Sequence, residues 1–225
     1  MNTSCGKCFC AFLFALFCFQ QILSAAGVVT NCDETTLRAA MEGGGTVTFA
    51  CDGIITLASQ LTIDTDTTLD ATGHSITLSG GGSTRVLLVP SGAKLTLKRL
   101  TISDGFLSGE YGGGLLNSGE VTVSDCAFSN NIVVNGPALF TFGGAIDHRG
   151  TRLVITGTTF IGNNAGTVGS GGGSALNCLD PNGNPVTGNI AITKLHVLRE
   201  RRSFSRVSTA ARFACDVCKL HVCLE

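Results

Sequence analysis

An internal repeat constrains this chain more than any other feature. The block GGLLN at 113–117 recurs as GGAID at 143–147 and as GSALN at 173–177, each time 30 residues later. After the first two blocks comes an alternating segment and then a segment with phenylalanine, and a related pair of segments lies upstream. A unit of this length cannot bury an apolar face alone, so successive units must stack and share one core.

The short segments between the turns have the pattern of β-strands. Leu95-Thr96-Leu97 and Val121-Thr122-Val123 alternate apolar residues with threonine, which turns one side of each strand to a core and the other to water. The turns are rich in Gly, Asn and Asp, which tolerate positive φ. These features predict an all-β fold, a parallel β-helix of about five coils. A β-sandwich gives no reason for a repeated Gly-Gly-apolar block.

Stacking of the coils predicts columns of equivalent residues. Asn131 and Asn163 share a turn position, where their amides can hydrogen-bond along the axis. Opposite charges on neighbouring coils stabilise by about 0.2–1 kcal/mol per pair, so we interpret the charged columns as contacts that fix the register, with a binding stripe as the alternative. The predicted columns are Leu95, Val121 and Leu153; Leu97, Val123 and Ile155; Ile102, Phe128 and Phe160; Lys94, Glu120 and Arg152; and Arg99 with Asp125.

Residues 1–26 have the features of a secretory signal. Lys7 supplies the positive charge, the apolar run at 11–19 is too short to cross a bilayer, and 24–26 are small, as at a cleavage site. An N-terminal anchor is the alternative. We therefore expect a mature chain that is secreted or at the cell surface, without a transmembrane segment.

The segment after the signal is predicted to form a cap over residues 27–46, ahead of a β-helix over 47–193. Asp33 is a suitable N-cap for a short helix that Gly43 ends, and an open solenoid end needs such a cover. Cys32 and Cys51 flank the helix in an exported protein, which predicts a disulfide between them. Cys126 and Cys178 are expected to be buried single thiols.

The composition changes sharply near Thr193. Residues 27–193 carry 7 basic and 13 acidic residues, whereas 194–225 carry 7 basic and 3 acidic residues and no glycine. The second segment is predicted to be a basic tail outside the repeat, either a contact for phosphate or an acidic glycan or the product of a truncated or frame-shifted gene. It contains Cys215, Cys218, His221 and Cys223, but secretion favours oxidation, and we expect no metal site.

The cap and the repeats together resemble a known group of proteins. The run from Asn31 to Cys51, with LRAAMEGGGTVTFAC at its end, is similar to the start of secreted bacterial right-handed parallel β-helix proteins. The Gly-Gly-apolar-apolar and Phe-x-x-Asn elements resemble the repeats of polymorphic outer-membrane proteins of chlamydiae. The resemblance covers about residues 28–192 and implies a right-handed, pectin-lyase-like solenoid. That fold carries pectate lyases, polygalacturonases and adhesins, so it does not decide the activity.

The sequence offers few candidates for catalysis. Polygalacturonases of this fold carry a paired Asp-Asp and a Gly-His-Gly, whereas this chain has no adjacent Asp pair and a single Gly-His, at Gly73-His74. The spacing of Asp64, Asp66 and Asp70 loosely resembles that of a calcium loop, but the glycine and the distal glutamate of such a loop are missing, so we interpret the three as a polar turn.

Asp147, His148 and Arg149 bring acid, imidazole and guanidinium together in a longer coil, and Arg152 follows them. A loop insertion in a solenoid is a common place for function, so these four are the candidate ligand-binding residues, with an ordinary polar turn as the alternative.

These observations predict a secreted or cell-surface β-helix with a structural, adhesive or glycan-binding role and no catalysis of its own. Its expected partners are an extracellular polysaccharide or a host or cell surface, and no cofactor is expected. A net charge of −1 argues against nucleic acid. The alternative function is a polysaccharide lyase or hydrolase of the pectate-lyase-like class.

Overall fold

The computed structural model describes residues 27–134, 141–166, 171–172, 175–178, 186, 188–198 and 222–223. The predicted signal at 1–26 lies outside the described residues. The elements in chain order are β1 (Gly27–Val29), α1 (Glu34–Met41), β2 (Gly45–Phe49), β3 (Gly53–Thr56), β4 (Leu61–Thr62), β5 (Thr67–Asp70), β6 (Ile76–Ser79), β7 (Leu87–Val89), β8 (Lys94–Lys98), β9 (Leu100–Ser103), β10 (Phe106–Ser108), β11 (Leu115–Asn117), β12 (Glu120–Ser124), β13 (Ala127–Ser129), β14 (Ile132–Val134), β15 (Thr141–Phe142), β16 (Ile146–His148), β17 (Arg152–Thr156), β18 (Thr159–Ile161), β19 (Asn164–Ala165), β20 (Gly171–Gly172), β21 (Leu176–Asn177), β22 (Asn189–Thr193), β23 (His196–Leu198) and β24 (Val222–Cys223).

The strands form stacked parallel sheets, as a solenoid requires. Sheet A has the order β1-β2-β5-β8-β12-β17-β22-β24, sheet B β23-β18-β13-β9-β6-β3, and sheet C β21-β16-β11-β7-β4. From β10 onward the chain adds a strand between sheets B and C, which makes sheet D (β10-β14-β19), and β15 pairs with β20 as sheet E. The described part is thus an all-β parallel solenoid with one helix, and the predicted parallel fold is confirmed at this level.

The predicted apolar columns are confirmed by the register. Leu97, Val123 and Ile155 pair in sheet A and are fully buried. Phe128 pairs with Phe160 in sheet B, and their stacked rings have centroids 5.3 Å apart. Identical alternation on neighbouring strands therefore builds one continuous core along the axis.

The charged column on sheet A is confirmed as well. Glu120 pairs with both Lys94 and Arg152, and Lys94 Nζ lies 3.7 Å from Glu120 Oε2. Lys98 Nζ makes a similar contact of 3.2 Å with Asp70 Oδ2 on the neighbouring strand. These contacts agree with a role in holding the register of exposed strands.

The alignment of the repeated blocks needs a correction of one residue. The sequence spacing sets Asn117 against Asp147, but in sheet C Asp147 pairs with Leu116, and Asn117 pairs with His148, 31 positions later. A one-residue shift exchanges the two faces of a strand. Asp147 therefore shares the outer face with Leu116, and His148 takes the inner position.

Two strands lie within the segment predicted as a tail. β23 pairs with β18, and β24 pairs with β22, so the sheets extend beyond Thr193. Lys194 has a φ of 53°, as Arg99 and Asp125 have 56° and 53° at the equivalent turns of earlier coils. The chain therefore makes this turn without a glycine. Residues 199–221, with most of the cysteine pattern, lie outside the described residues.

The N-terminal segment has the predicted helix and disulfide. Asp33 is the N-cap of α1, and its side chain accepts a hydrogen bond of 2.8 Å from the backbone N–H of Thr36. Leu37 is fully buried, and the helix lies against β1 and β2. Cys32 and Cys51 form a disulfide with a Cα–Cα distance of 5.8 Å.

Candidate functional site

Asp147 is fully buried although it lies on the outer face of sheet C. Its neighbour Ile146 belongs to the core, so the side chain of Asp147 points away from the core. The side chain is buried because the chain at Gly143 passes close to it: a Cβ added to Gly143 would lie 2.7 Å from Asp147 Cβ. Arg149 Nε donates to Oδ2 at 2.7 Å, and Asn177 Nδ2 donates to Oδ1 at 2.5 Å. Burial raises the pKa of this carboxyl, and Arg149 opposes the rise.

His148 is also fully buried, but on the opposite face of the strand. It pairs with Asn117, which pairs in turn with the core residue Val89. Its Nδ1 accepts a hydrogen bond of 2.8 Å from Asn117 Nδ2, and its Nε2 has no hydrogen-bond partner among the described residues. Burial lowers the pKa of His148 to about 4. The imidazole therefore cannot act together with Asp147 on one bound molecule.

Arg149 covers Asp147 and holds a loop from the preceding coil. Its guanidinium lies over the ring of Tyr111, with Cζ 3.9 Å from the centroid. Arg85 holds the same loop from the other side, donating to the carbonyls of Tyr111 and Gly112 and to Glu110 Oε2 at 2.7 Å. Two arginines thus hold residues 110–112, and Arg149 joins this loop to Asp147.

Arg152 is separated from that cluster. It begins β17 in sheet A, its side chain is exposed, and Glu120 is its neighbour in the column. The structure thus brings Asp147 and Arg149 together, and it places His148 and Arg152 elsewhere. Only Arg152 among the four is exposed, and Arg149 reaches the surface with about a fifth of its side chain.

A second polar cluster was missed as a site by the sequence analysis. A shallow cleft at the turns between sheets A and B, which we call the ridge cleft, is lined by Asp52, Gly73, His74, Ser75, Arg99 and Asp125. Arg99 and Asp125 were expected to align, and they do occupy successive turns, but no ion pair joins them in the described part of the chain. The sequence signal that could have revealed the cleft is the stacking of turn residues after β2, β5, β8 and β12.

No group of three or more His, Cys, Asp or Glu residues in the described ranges is arranged to hold a metal ion. The one described helix is also too short to cross a membrane.

Comparison of the chain with family models, curated proteins and solved structures finds no match.

Proposed function

We propose that this chain is a secreted or cell-surface right-handed β-helix that binds glycans or supports adhesion without catalysis of its own. In this proposal α1 caps the first coil, and the resemblance of residues 28–192 to right-handed β-helix proteins supports the handedness. The extracellular location is supported by the disulfide between Cys32 and Cys51, because such bonds persist in oxidising compartments.

The observation that carries the proposal is the outer face of sheet A. The central outward row has threonine on four successive strands, followed by small apolar residues, with coils spaced by about 4.8 Å. The row is Thr46, Thr68, Thr96, Thr122, Val154 and Ala191. A flat row of regularly spaced hydroxyls suits contact with an extended polymer, since each hydroxyl both donates and accepts hydrogen bonds.

Three carboxylates beside this row are engaged by the protein. Asp70 contacts Lys98, Glu120 contacts Lys94, and Asp66 Oδ1 accepts from the backbone N–H of Lys94 at 3.0 Å. Glycoside hydrolysis needs two carboxyl groups that are free to act as acid and as base or nucleophile. The engaged carboxylates of this face therefore favour binding over cleavage.

The test is an assay that measures binding and cleavage on the same material. The purified mature protein is incubated with an array of immobilised extracellular polysaccharides, and soluble uronate polymers are followed by ultraviolet absorbance and by reducing ends, with and without calcium. We expect retention on at least one polysaccharide and no new products. Product formation above a heat-denatured control would contradict the proposal and favour the lyase or hydrolase class.

A further inference from the structure

We propose that the groove between α1 and β4 binds an extended, basic segment of a partner protein, which adds a strand to the open edge of sheet C. We call it the cap groove, and its walls are formed by residues in the ranges 38–43 and 61–67. The groove is separate from the threonine row on sheet A. It therefore adds a protein partner to the role proposed above and does not depend on the binding of a glycan.

The N-terminal cap leaves sheet C one strand short at this end. In sheet A, β1 precedes β2, whereas sheet C begins one coil later, at β4. The chain that leaves β1 forms α1 instead of further strands, and α1 packs on β1 and β2. The helix thus covers the core, while a cavity of about 500 Å³ lies between it and β4. This volume is typical of ligand-binding clefts.

The backbone of Thr62 is the open part of the edge. The N–H groups of Leu61 and Ile63 donate to carbonyls on the side of β7, both at 2.9 Å. Backbone groups alternate between the two sides of a strand, so the N–H and the carbonyl of Thr62 face the groove, where no described residue bonds to them. Such unpaired edge groups are a template for a further strand, and many proteins bind extended peptides in this way.

The protein closes this edge on both sides of Thr62. Arg38 Nη2 donates to the carbonyls of Ser59 and Gln60, at 2.6 and 3.3 Å. Further along, the backbone N–H of Gly45 donates to the carbonyl of Asp66 at 2.8 Å. Edge strands are usually blocked against pairing, and here the block is interrupted only beside the groove. The open stretch therefore fits one short extended segment.

The charge of the groove selects the partner. Glu42 and Asp64 line it, both are exposed, and neither forms an ion pair in the described ranges. Arg38 also lines the groove, but its Nε donates to Glu34 Oε1 at 2.8 Å, which balances its charge. Two carboxylates without a counterion favour lysine or arginine in the bound segment and disfavour an acidic peptide or a nucleic acid.

The helix side of the groove also offers an apolar wall. Ala39 is exposed there, and Met41 is half-buried. Methionine adapts to apolar side chains of different shapes. Successive side chains of an extended segment point to opposite faces, so a segment in which apolar and basic residues alternate can turn the apolar ones to this wall and the basic ones to the carboxylates.

The experiment titrates the folded protein with a fluorescently labelled peptide of alternating lysine and valine, with blocked ends, at fixed, low ionic strength. Fluorescence anisotropy measures the affinity. Thr62→Pro removes the free N–H, and proline is tolerated where that group faces away from the sheet. The matched control is Thr56→Pro, because Gly53 and Leu57 donate towards β6, so the N–H of Thr56 faces the open edge of sheet B, outside the groove. We expect Thr62→Pro to weaken binding about tenfold and Thr56→Pro to keep the affinity of the parent.

The acidic rim is tested by Glu42→Gln/Asp64→Asn, which should weaken binding about tenfold and reduce its dependence on salt. Asp125→Asn is the control, since Asp125 is an exposed carboxylate outside the groove, and it should leave the affinity unchanged. Two altered peptides are titrated against the parent protein, one with an N-methylated backbone and one with glutamate in place of lysine. Both should bind at least about tenfold more weakly, and the lysine peptide should slow hydrogen exchange at the amide of Thr62.

Equal losses in Thr62→Pro and Thr56→Pro, equal binding of the lysine and glutamate peptides, or unchanged exchange at Thr62 would each overturn the site. If a proline variant melts well below the parent, the altered peptides and the exchange rate decide, since both use the parent protein. Absence of peptide binding by the parent also overturns the site. If, in addition, Thr62→Pro abolishes self-association in sedimentation and Thr56→Pro does not, the groove belongs to a second copy of the chain.

Discussion

Asn131 Nδ2 donates a hydrogen bond of 2.9 Å to Asn163 Oδ1 on the next coil, and both side chains are fully buried. Each amide also hydrogen-bonds to the backbone of the preceding coil. Asn131 Nδ2 donates to the carbonyl of Ile102, and Asn163 Nδ2 donates to the carbonyl of Phe128, both at 3.0 Å. Asn131 Oδ1 accepts from the backbone N–H of Gly105 at 3.0 Å. The two residues thus satisfy backbone groups at a turn that has no sheet partner of its own.

Asn131→Ala is expected to lower the free energy of unfolding by about 2–4 kcal/mol, because it leaves the Ile102 carbonyl and the Gly105 N–H buried and unpaired. Urea denaturation followed by circular dichroism measures the loss. The control is Asn189→Ala, since Asn189 is exposed at the start of its strand and should change stability by less than about 0.5 kcal/mol. Similar losses in the two variants would show that the amide pair has no special role.

Removal of the disulfide should destabilise the N-terminal end of the solenoid. Cys32 and Cys51 are 19 positions apart, and in the chain-entropy description closing a loop of this size stabilises by about 3 kcal/mol. We expect Cys32→Ser/Cys51→Ser to lose about this amount and to match the parent protein under reducing conditions. A native protein in which thiol reagents label both positions would contradict the bond.

The apolar columns of the core were predictable from the sequence, because apolar and polar residues alternate strictly on each strand and the strands pair in the same register. Leu97, Val123 and Ile155 follow the same apolar-polar pattern, and so does the Phe128–Phe160 pair. The Asn131–Asn163 contact followed from their common distance to these strands.

The burial of the candidate site could not be predicted in this way. The fixed spacing of the Gly-Gly blocks concealed the shift that sets Asp147 against Leu116, and this shift decides which face each side chain occupies. Asp147 is then covered by Arg149 and by the chain at Gly143, which are contacts of irregular loops without periodicity. The ridge cleft depends in the same way on unequal turn lengths, which a search for repeats disregards.

The buried imidazole of His148 should make stability fall in mild acid. Its pKa is about 4 in the folded protein and about 6.5 in the unfolded chain, so the unfolded chain binds the proton first. The free energy of unfolding is therefore unaffected by this titration above pH 6.5 and decreases as the pH falls from 6.5 towards 4. The total loss is about 3 kcal/mol.

The measurement compares the unfolding free energy of the parent and of His148→Gln at pH 7, 5.5 and 4. The difference between the two proteins should shrink across this range, and the opposing titration of Asp147, whose pKa is raised, largely cancels in that difference. A constant difference between parent and His148→Gln would show that the ring is not held neutral by burial.

The two arginines that follow the second repeated block should differ strongly in their effect on stability. Arg149→Ala removes the donor at 2.7 Å from the buried Asp147 carboxylate and the stacking over Tyr111, so we expect a loss of about 2–4 kcal/mol. Arg152→Ala removes an exposed side chain and should cost less than about 0.5 kcal/mol. Adding Asp147→Asn to Arg149→Ala should restore part of the loss, because the neutral amide no longer leaves a charge buried, and a double-mutant cycle by urea denaturation measures this coupling. Additive effects of the two changes would mean that Arg149 acts through packing on Tyr111 alone.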